Sequence, residues 1–325
     1  MTDFITATQS VFLRVIHVVT DPILVPQSRT FFAYLASSLL IAFVVHAWES
    51  QKTSPDKRVL PFVFPKEVYL HRSALVDYFY FFCNTLLGAF ILAPLAGLSL
   101  VVSRELVGLL GSHAEHNVNW GWGMSVALTC VLVIVSDFSA FIVHVWMHRI
   151  PFLWEFHKVH HSAEVMTPIT VYRMHPIDDL LTMVVGGVLT GAADALLRAF
   201  VWASFPLTGL YGISLLTFLF YLFGYNLRHS HVWVSYGSFF SKLFISPAQH
   251  QIHHSKAPRH WNKNYGFMFA FWDLMAGSLY IPKERERLEF GIGSTEGGQY
   301  SSVLRLYLLP FAKAFKFFSQ RTRGV

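Results

Sequence analysis

His144 and His148, then His157, His160 and His161, then His250, His253 and His254 repeat one arrangement, imidazoles set three or four residues apart. On a helix, residues at that spacing share a face, so each set aims its rings to one side. Imidazole is the commonest metal ligand, and twelve of the seventeen histidines fall between 144 and 260. The three sets supply eight rings that could converge. A structural zinc site takes about four protein ligands and a catalytic one about three, so eight are too many for one ion. The count suits two metals about 4 Å or less apart. Nitrogen donors are compatible with iron, zinc or copper, and spacing does not choose among them.

Other residues are candidates on weaker patterns. His229 in Arg228-His229-Ser230 is a further ligand candidate, and His175 in Arg173-Met174-His175-Pro176 is a ligand or the orienting partner of one. His231 and His260 rank below these. His17, His46 and His71 stand alone and stay unassigned, because a single buried histidine is ordinarily satisfied by hydrogen bonds. Asp137 lies seven residues before His144, about two turns deeper on the same face. An ionisable group in such an apolar stretch is a functional candidate. Asp137 is expected to accept a hydrogen bond from a ligand's distal nitrogen and fix its tautomer, or else to make a plain interhelical polar contact. Asp273, beside Trp272, is its analogue or else a structural cap, and Asn264 and Tyr265 shape the loop after the last histidine set.

The elements that must position these residues lie in a bilayer. Hydrophobic residues make up 54% of the 325, charged residues only 14%, and mean hydropathy is +0.44. The expectation is an all-α integral membrane bundle whose His-rich cytoplasmic cap holds a two-metal site. Spans are expected at about 30–47, 76–102 and 123–143, with a further pair at 180–201 and 203–225 that crosses or dips in as a re-entrant hairpin. Asp194 and Arg198, inside that pair, must face protein or water. Lys52, Lys57, Arg58, Lys66 and Arg72 make the first loop basic, whereas the next carries only Arg104. The first loop is therefore cytoplasmic, as are the ends carrying the histidines.

Organisation follows from these elements. Residues 1–122 form an N-terminal transmembrane region without a cleavable signal peptide, since Asp3, Asp21, Pro22 and Pro26 interrupt the start. Residues 123–282 form the catalytic domain, membrane helices plus cap. Residues 283–325 are a polar link and a basic amphipathic tail, with Leu304, Leu308, Phe311, Phe315 and Phe318 at near-helical intervals, expected to lie on the membrane surface. The net charge of +6 fits attraction to anionic lipid headgroups better than to nucleic acid. Cys83 and Cys130 sit in apolar stretches and imply neither a disulfide nor a thiolate site.

The run Asp137-x6-His144-x3-His148-Arg149, followed by Trp154-Glu155-Phe156-His157-Lys158-Val159-His160-His161-Ser162, resembles the fatty acid hydroxylase and sterol desaturase superfamily. Arg173-x-His175-Pro176, Arg228-His229-Ser230, His250-x2-His253-His254-Ser255 and Asn264-Tyr265-Gly266 through Trp272-Asp273 to Gly277 follow in the order that superfamily uses. The likeness covers roughly residues 123 to 282. It implies two irons held almost wholly by histidine and O2 as co-substrate for attack on an unactivated lipid C–H bond. The implied ligands are His144, His148, His157, His160, His161, His229, His250, His253 and His254. The chain departs from the pattern at Phe141, where the family commonly has Tyr, and at Val145, where it often has Arg.

Reducing O2 at such a site takes electrons, and the sequence carries no haem motif, flavin fingerprint or Cys-rich iron–sulfur pattern. An external donor, a ferredoxin or a cytochrome with its reductase, is expected at the basic face. The competing class is a zinc-dependent membrane hydrolase of a lipid amide or ester. It would need Glu155 or Glu164 as base beside a bound water.

Overall fold

The computed structural model describes residues 20–52, 58–111, 113, 121–210 and 213–321. In chain order its main helices are α1 (Phe32–Lys52), α2 (Arg72–Ile91), α3 (Leu98–Leu110), α4 (Gly121–Arg149), α5 (Pro151–His161), α6 (Pro176–Phe200), α7 (Leu215–Leu222), α8 (Pro247–His253) and α9 (Val303–Arg321). One short antiparallel pair, Gly209–Leu210 with Ile213–Ser214, precedes α7. The fold is all-α.

Among the described residues, α1, α4 and α6 are long and apolar enough to cross a membrane. Two stretches expected as spans do not form one long helix each. The stretch 76–102 breaks into α2, a 3-10 turn at Ala93–Leu95, and α3. Pro94 lacks a backbone donor, and Gly97 is the residue on which α3 starts. The stretch 203–225 becomes the strand pair and the eight-residue α7, because Pro206 and Gly209 interrupt its apolar run.

α3 lies directly against α6. A Cβ on Gly191 would stand 2.5 Å from the Ser99 carbonyl, and one on Gly187 would stand 2.9 Å from Leu98 side-chain atoms. This small-xxx-small pair lets the backbones approach closely, a packing mode of membrane helices. The same interface accounts for the expected buried charges. Asp194 Oδ2 accepts from Arg198 Nε at 2.8 Å and from Ser103 Oγ across the helix pair.

Beyond the ends of α4 and α6 the chain builds a cap. Ile150 separates α4 from α5, with Pro151 pre-set for the first helical position. Ser246 and Gln249 form a capping box that starts α8, again with Pro247 at the first position. Phe31, Tyr34, Phe220, Tyr221, Tyr225, Met268 and Phe269 make one aromatic core beneath these pieces. Arg173, itself buried, ties cap to bundle by an ion pair to Asp77 at 2.6 Å and by bonds to Val159 O and Ser162 Oγ. The amphipathic tail forms α9. It docks on the cap through Leu306, beside Tyr80, Val159 and Tyr300, and leaves Leu304, Leu308 and Phe315 exposed.

Candidate metal centre

Nine histidines from four stretches meet inside the cap. His144, His148, His157, His161 and His253 form one group, and His160, His229, His250 and His254 form a second. Within each group, one nitrogen per ring lies within 4.8 Å of all the others. The groups abut, with the ring centroids of His161 and His254 4.5 Å apart.

Helical spacing explains the meeting. His144 and His148 share a face of the last turns of α4, and the tight α4–α5 corner folds His157, His160 and His161 back over them. α8 brings its three histidines from the other side. His229 arrives on the 3-10 turn Tyr225–His229, which packs against α8. His229 accordingly lies with the second group.

The loop after α8 acts as a buckle. His144 Nδ1 lies 2.7 Å from Tyr265 O, and His253 Nδ1 lies 2.8 Å from Lys263 O. A carbonyl can only accept, so both rings carry their proton on Nδ1 and turn a bare Nε2 inward. Asn262 and Asn264 adopt left-handed backbone, φ 59° and 56°. Asn264 Nδ2 donates to Gln249 O and Tyr280 O, both at 3.0 Å. Asp273 accepts from Tyr265 N and Gly266 N at 2.8 and 2.7 Å.

Asp137 does not bond to a histidine. Its carboxylate accepts from Met268 N, Phe269 N and Trp272 Nε1 at 2.7, 3.1 and 2.9 Å. The residue two turns below the first histidine pair thus anchors the loop that orients a ligand candidate, one step further out than expected. Among the described residues, the carboxylate that reaches a ring of either histidine group is Asp178, with Oδ1 3.5 Å from His157 Nδ1. Neither oxygen of Asp178 has a hydrogen-bond partner among the described residues. The sequence reading missed it because an acidic residue in the first turn of a helix ordinarily complements the dipole. The spacing His175-Pro176-x-Asp178 was the available signal.

The remaining candidates stand apart from both groups. His175 caps α6, accepting from Ile177 N on Nδ1, while Nε2 meets Tyr307 O at 3.2 Å. His231 Nε2 lies 2.6 Å from Phe62 O. His260 pairs with Glu286 at 3.1 Å. Glu155 is held by Lys158 at 2.8 Å, and Glu164 lies 4.0 Å from His71. Neither glutamate is part of a histidine group.

Burial holds the imidazoles outside the membrane helices uncharged. It pushes His157 and His229 down to about 3, the latter helped by the Arg228 charge. His160, His161, His250, His253 and His254 fall well below the ordinary value through burial first and neighbouring rings second. Neutral imidazole is the metal-binding form.

The donors fit a metal. Nε2 of His144, His148, His157, His161 and His253 is buried without a hydrogen-bond partner among the described residues. Each such atom costs about 1–3 kcal/mol if left unpaired. Five would cost on the order of 5–15 kcal/mol, comparable to the net stability of a domain. In the second group, the Nε2 atoms of His229, His250 and His254 converge at 3.1 and 3.2 Å. A cation at each focus satisfies these lone pairs together.

Residues 129–278 match the family described as fatty acid hydroxylase. That stretch and the relatives that align with it carry the likeness to the fatty acid hydroxylase and sterol desaturase superfamily. It is 29% identical over 56% of its length to an ornithine lipid hydroxylase of Rhizobium tropici, covering 50% of that protein. It is 25% identical to an alkylglycerol monooxygenase of Caenorhabditis elegans over 58% of this chain and 34% of that one. A Delta(7)-sterol 5(6)-desaturase of Eremothecium gossypii shares 26% identity over 46% of this chain and 36% of its own. The chain thus spans half or less of the length of these three relatives. No solved structure matches it.

Proposed function

We propose that this protein is a membrane-embedded di-iron oxidoreductase that hydroxylates or desaturates a C–H bond of a lipid. O2 is its co-substrate, and electrons come from a separate carrier, a ferredoxin or a cytochrome with its reductase. The observation that carries the reading is the pair of abutting histidine groups, one with five inward, unpartnered Nε2 atoms and the other with Nε2 atoms converging on one another. His144, His148, His157, His161 and His253 would hold one iron, and His160, His229, His250 and His254 the other. When bound, the irons supply the redox chemistry that attack on an unactivated C–H bond requires.

The chain's own residues do the rest. Tyr265 O and Lys263 O lock two ring tautomers, and Asp178 sits where it can orient His157. Val143, Met147, Val171 and Phe267 wall the cavity beside the histidines with apolar surface, which excludes water from the reacting carbon. The Glu49–Arg285 ion pair at 2.7 Å sets the end of α1 beside the cap. The basic residues that follow α1 then share the cap's side of the membrane, which supports a cytoplasmic site. The position of Glu155 and Glu164 outside the histidine groups speaks against zinc hydrolysis.

The test is metal analysis of the purified protein combined with O2 uptake and lipid mass spectrometry. About two irons per chain, uptake that depends on an added reductant, and a product gaining one oxygen or losing two hydrogens are expected. Zinc alone, with a lipid amide or ester cleaved and no O2 consumed, would overturn the proposal.

A further inference from the structure

Two cavities meet at Arg29. The inner one, about 100 Å³, is bounded by His144, His157, His160, His229 and His250, with Arg228 at its wall. The outer one, about 270 Å³, runs past Ser136, Gly186, Thr217 and Tyr221, between α4, α6 and α7. Arg29, Ala140, Thr182 and Phe267 line both.

Arg29 is built into this junction. Asn226 Nδ2 donates to its carbonyl at 3.1 Å, three residues before His229. The hydroxyls of Ser28 and Thr30 on either side lie 3.0 and 3.1 Å from the Tyr172 hydroxyl. Its guanidinium stands 5.6 Å from the Phe267 ring centroid, and that of Arg228 stands 5.8 Å from the same ring. Arg228 donates to Ile245 O at 2.7 Å. Among the described residues the Arg29 guanidinium has no hydrogen-bond partner, and neither arginine has a carboxylate within 4.0 Å. Asp179 acts on Arg29 only through space, and Asp178, which shares the inner cavity, faces His157. A guanidinium cannot shed its proton, and a half-buried charge that faces a cavity without a protein partner is ready to take an anion. Stacking on an aromatic face supplies only part of what such a charge lacks.

Resting on the lipid-oxidation reading, we infer that Arg29, backed by Arg228, binds an acidic oxygen group of the lipid, a carboxylate or a phosphate, and so decides which end of the chain meets the histidines. The guanidinium fork matches either anion with two parallel bonds. The inner cavity is small against the roughly 300–1,000 Å³ of pockets that enclose a whole ligand. The bulk of a lipid tail therefore runs outward through the larger cavity, and only the acid group and the first few carbons reach the rings. Oxidation falls near the polar end of the chain, and the methyl end stays remote.

The experiment uses the metal-loaded protein in detergent without reductant, so binding is read without turnover. Its ligands are radiolabelled hexadecanoic acid, hexadecanol, hexadecanoic acid methyl ester and dihexadecanoyl phosphatidic acid. For Arg29→Met, binding of the acid weakens about 30-fold or more, the loss expected on removing one partner of a buried charge pair. The alcohol and the ester bind as to the unaltered protein. Arg29→Lys, which keeps the charge and loses the fork, gives an intermediate loss with unchanged metal content. If phosphatidic acid and not the free acid shows the Arg29 dependence, the anion is the lipid's phosphate. Binding of all four ligands to Arg29→Met that matches their binding to the unaltered protein, or equal loss of all four with Arg29→Lys also losing metal, overturns the inference. Neither outcome depends on whether any lipid is oxidised. Under turnover, mass spectrometry is expected to place the modified carbon within the acid-proximal half of the chain.

Discussion

The two histidine groups lie ring against ring, yet they are held differently. In the group of five, His144 and His253 spend Nδ1 on loop carbonyls, and His157 Nδ1, though it makes no hydrogen bond, faces the Asp178 carboxylate at 3.5 Å. In the group of four, Nδ1 of His160 and of His250 has no hydrogen-bond partner among the described residues, and the buried Arg228 charge acts on His229 and His250. Rings whose outer nitrogen is anchored are oriented before a metal arrives, and rings without such an anchor are oriented by the metal itself. One focus is preorganised and positively unencumbered. Its neighbour has no loop carbonyl shown on the outer nitrogens of His160 and His250 and works against a nearby cation.

The largest expected effect breaks the groups outright. His160→Ala should abolish turnover, with more than about 100-fold loss, while membrane insertion persists, because a ligand is worth at least as much as its orienting partner. Full activity in that variant, read by reductant-dependent O2 uptake, would count heavily against the assignment. Next comes the buckle. Asp137→Ala strands three donors, at about 1–3 kcal/mol each, and should lower the thermal midpoint in detergent sharply, with metal lost as the loop loosens.

Asp178→Asn sharpens the contrast, because it touches only the group of five. Metal affinity of one of the two sites should fall about 10–100-fold, seen as roughly half the iron lost on gel filtration. Equal loss from both sites would dissolve the distinction. Graded chelation should likewise strip one iron well before the other, and Asp178→Asn should narrow the gap between the two rates. The smallest effect belongs to the bundle. Gly191→Ala forces the α3 and α6 backbones apart and should cost about 1–3 kcal/mol of stability while leaving metal content unchanged.

The parts visible in the sequence are those governed by short spacing. Residues three and four apart on a helix must share a face, so the sets at 144–148, 157–161 and 250–254 could be read as convergent before any fold was known. Apolar length likewise marked α1, α4 and α6. Hydropathy alone failed at 76–102 and 203–225, where Pro94 and the Pro206–Gly209 segment break an apolar run that averages cannot register. Contacts made across the fold were hidden for another reason. Arg29 lies far in sequence from every histidine motif, and Asp178 is marked only by its nearness to His175, seventeen or more residues from the histidine groups. The role of Asp137 was misplaced because depth on a helix face says that a charge needs a partner, and the partner came from residues 268 to 272.

α4 is also a ruler. Its 29 residues make a rod about 43 Å long at 1.5 Å per residue, whereas the oily layer of a bilayer is about 30 Å thick. His144 and His148 occupy its final turn and a half, so a helix that crosses such a layer carries them toward its edge and away from its middle. Under the proposed lipid oxidation, that height would let a lipid meet the histidines without leaving the bilayer, and the length of one helix would set how far along the molecule the reaction takes place.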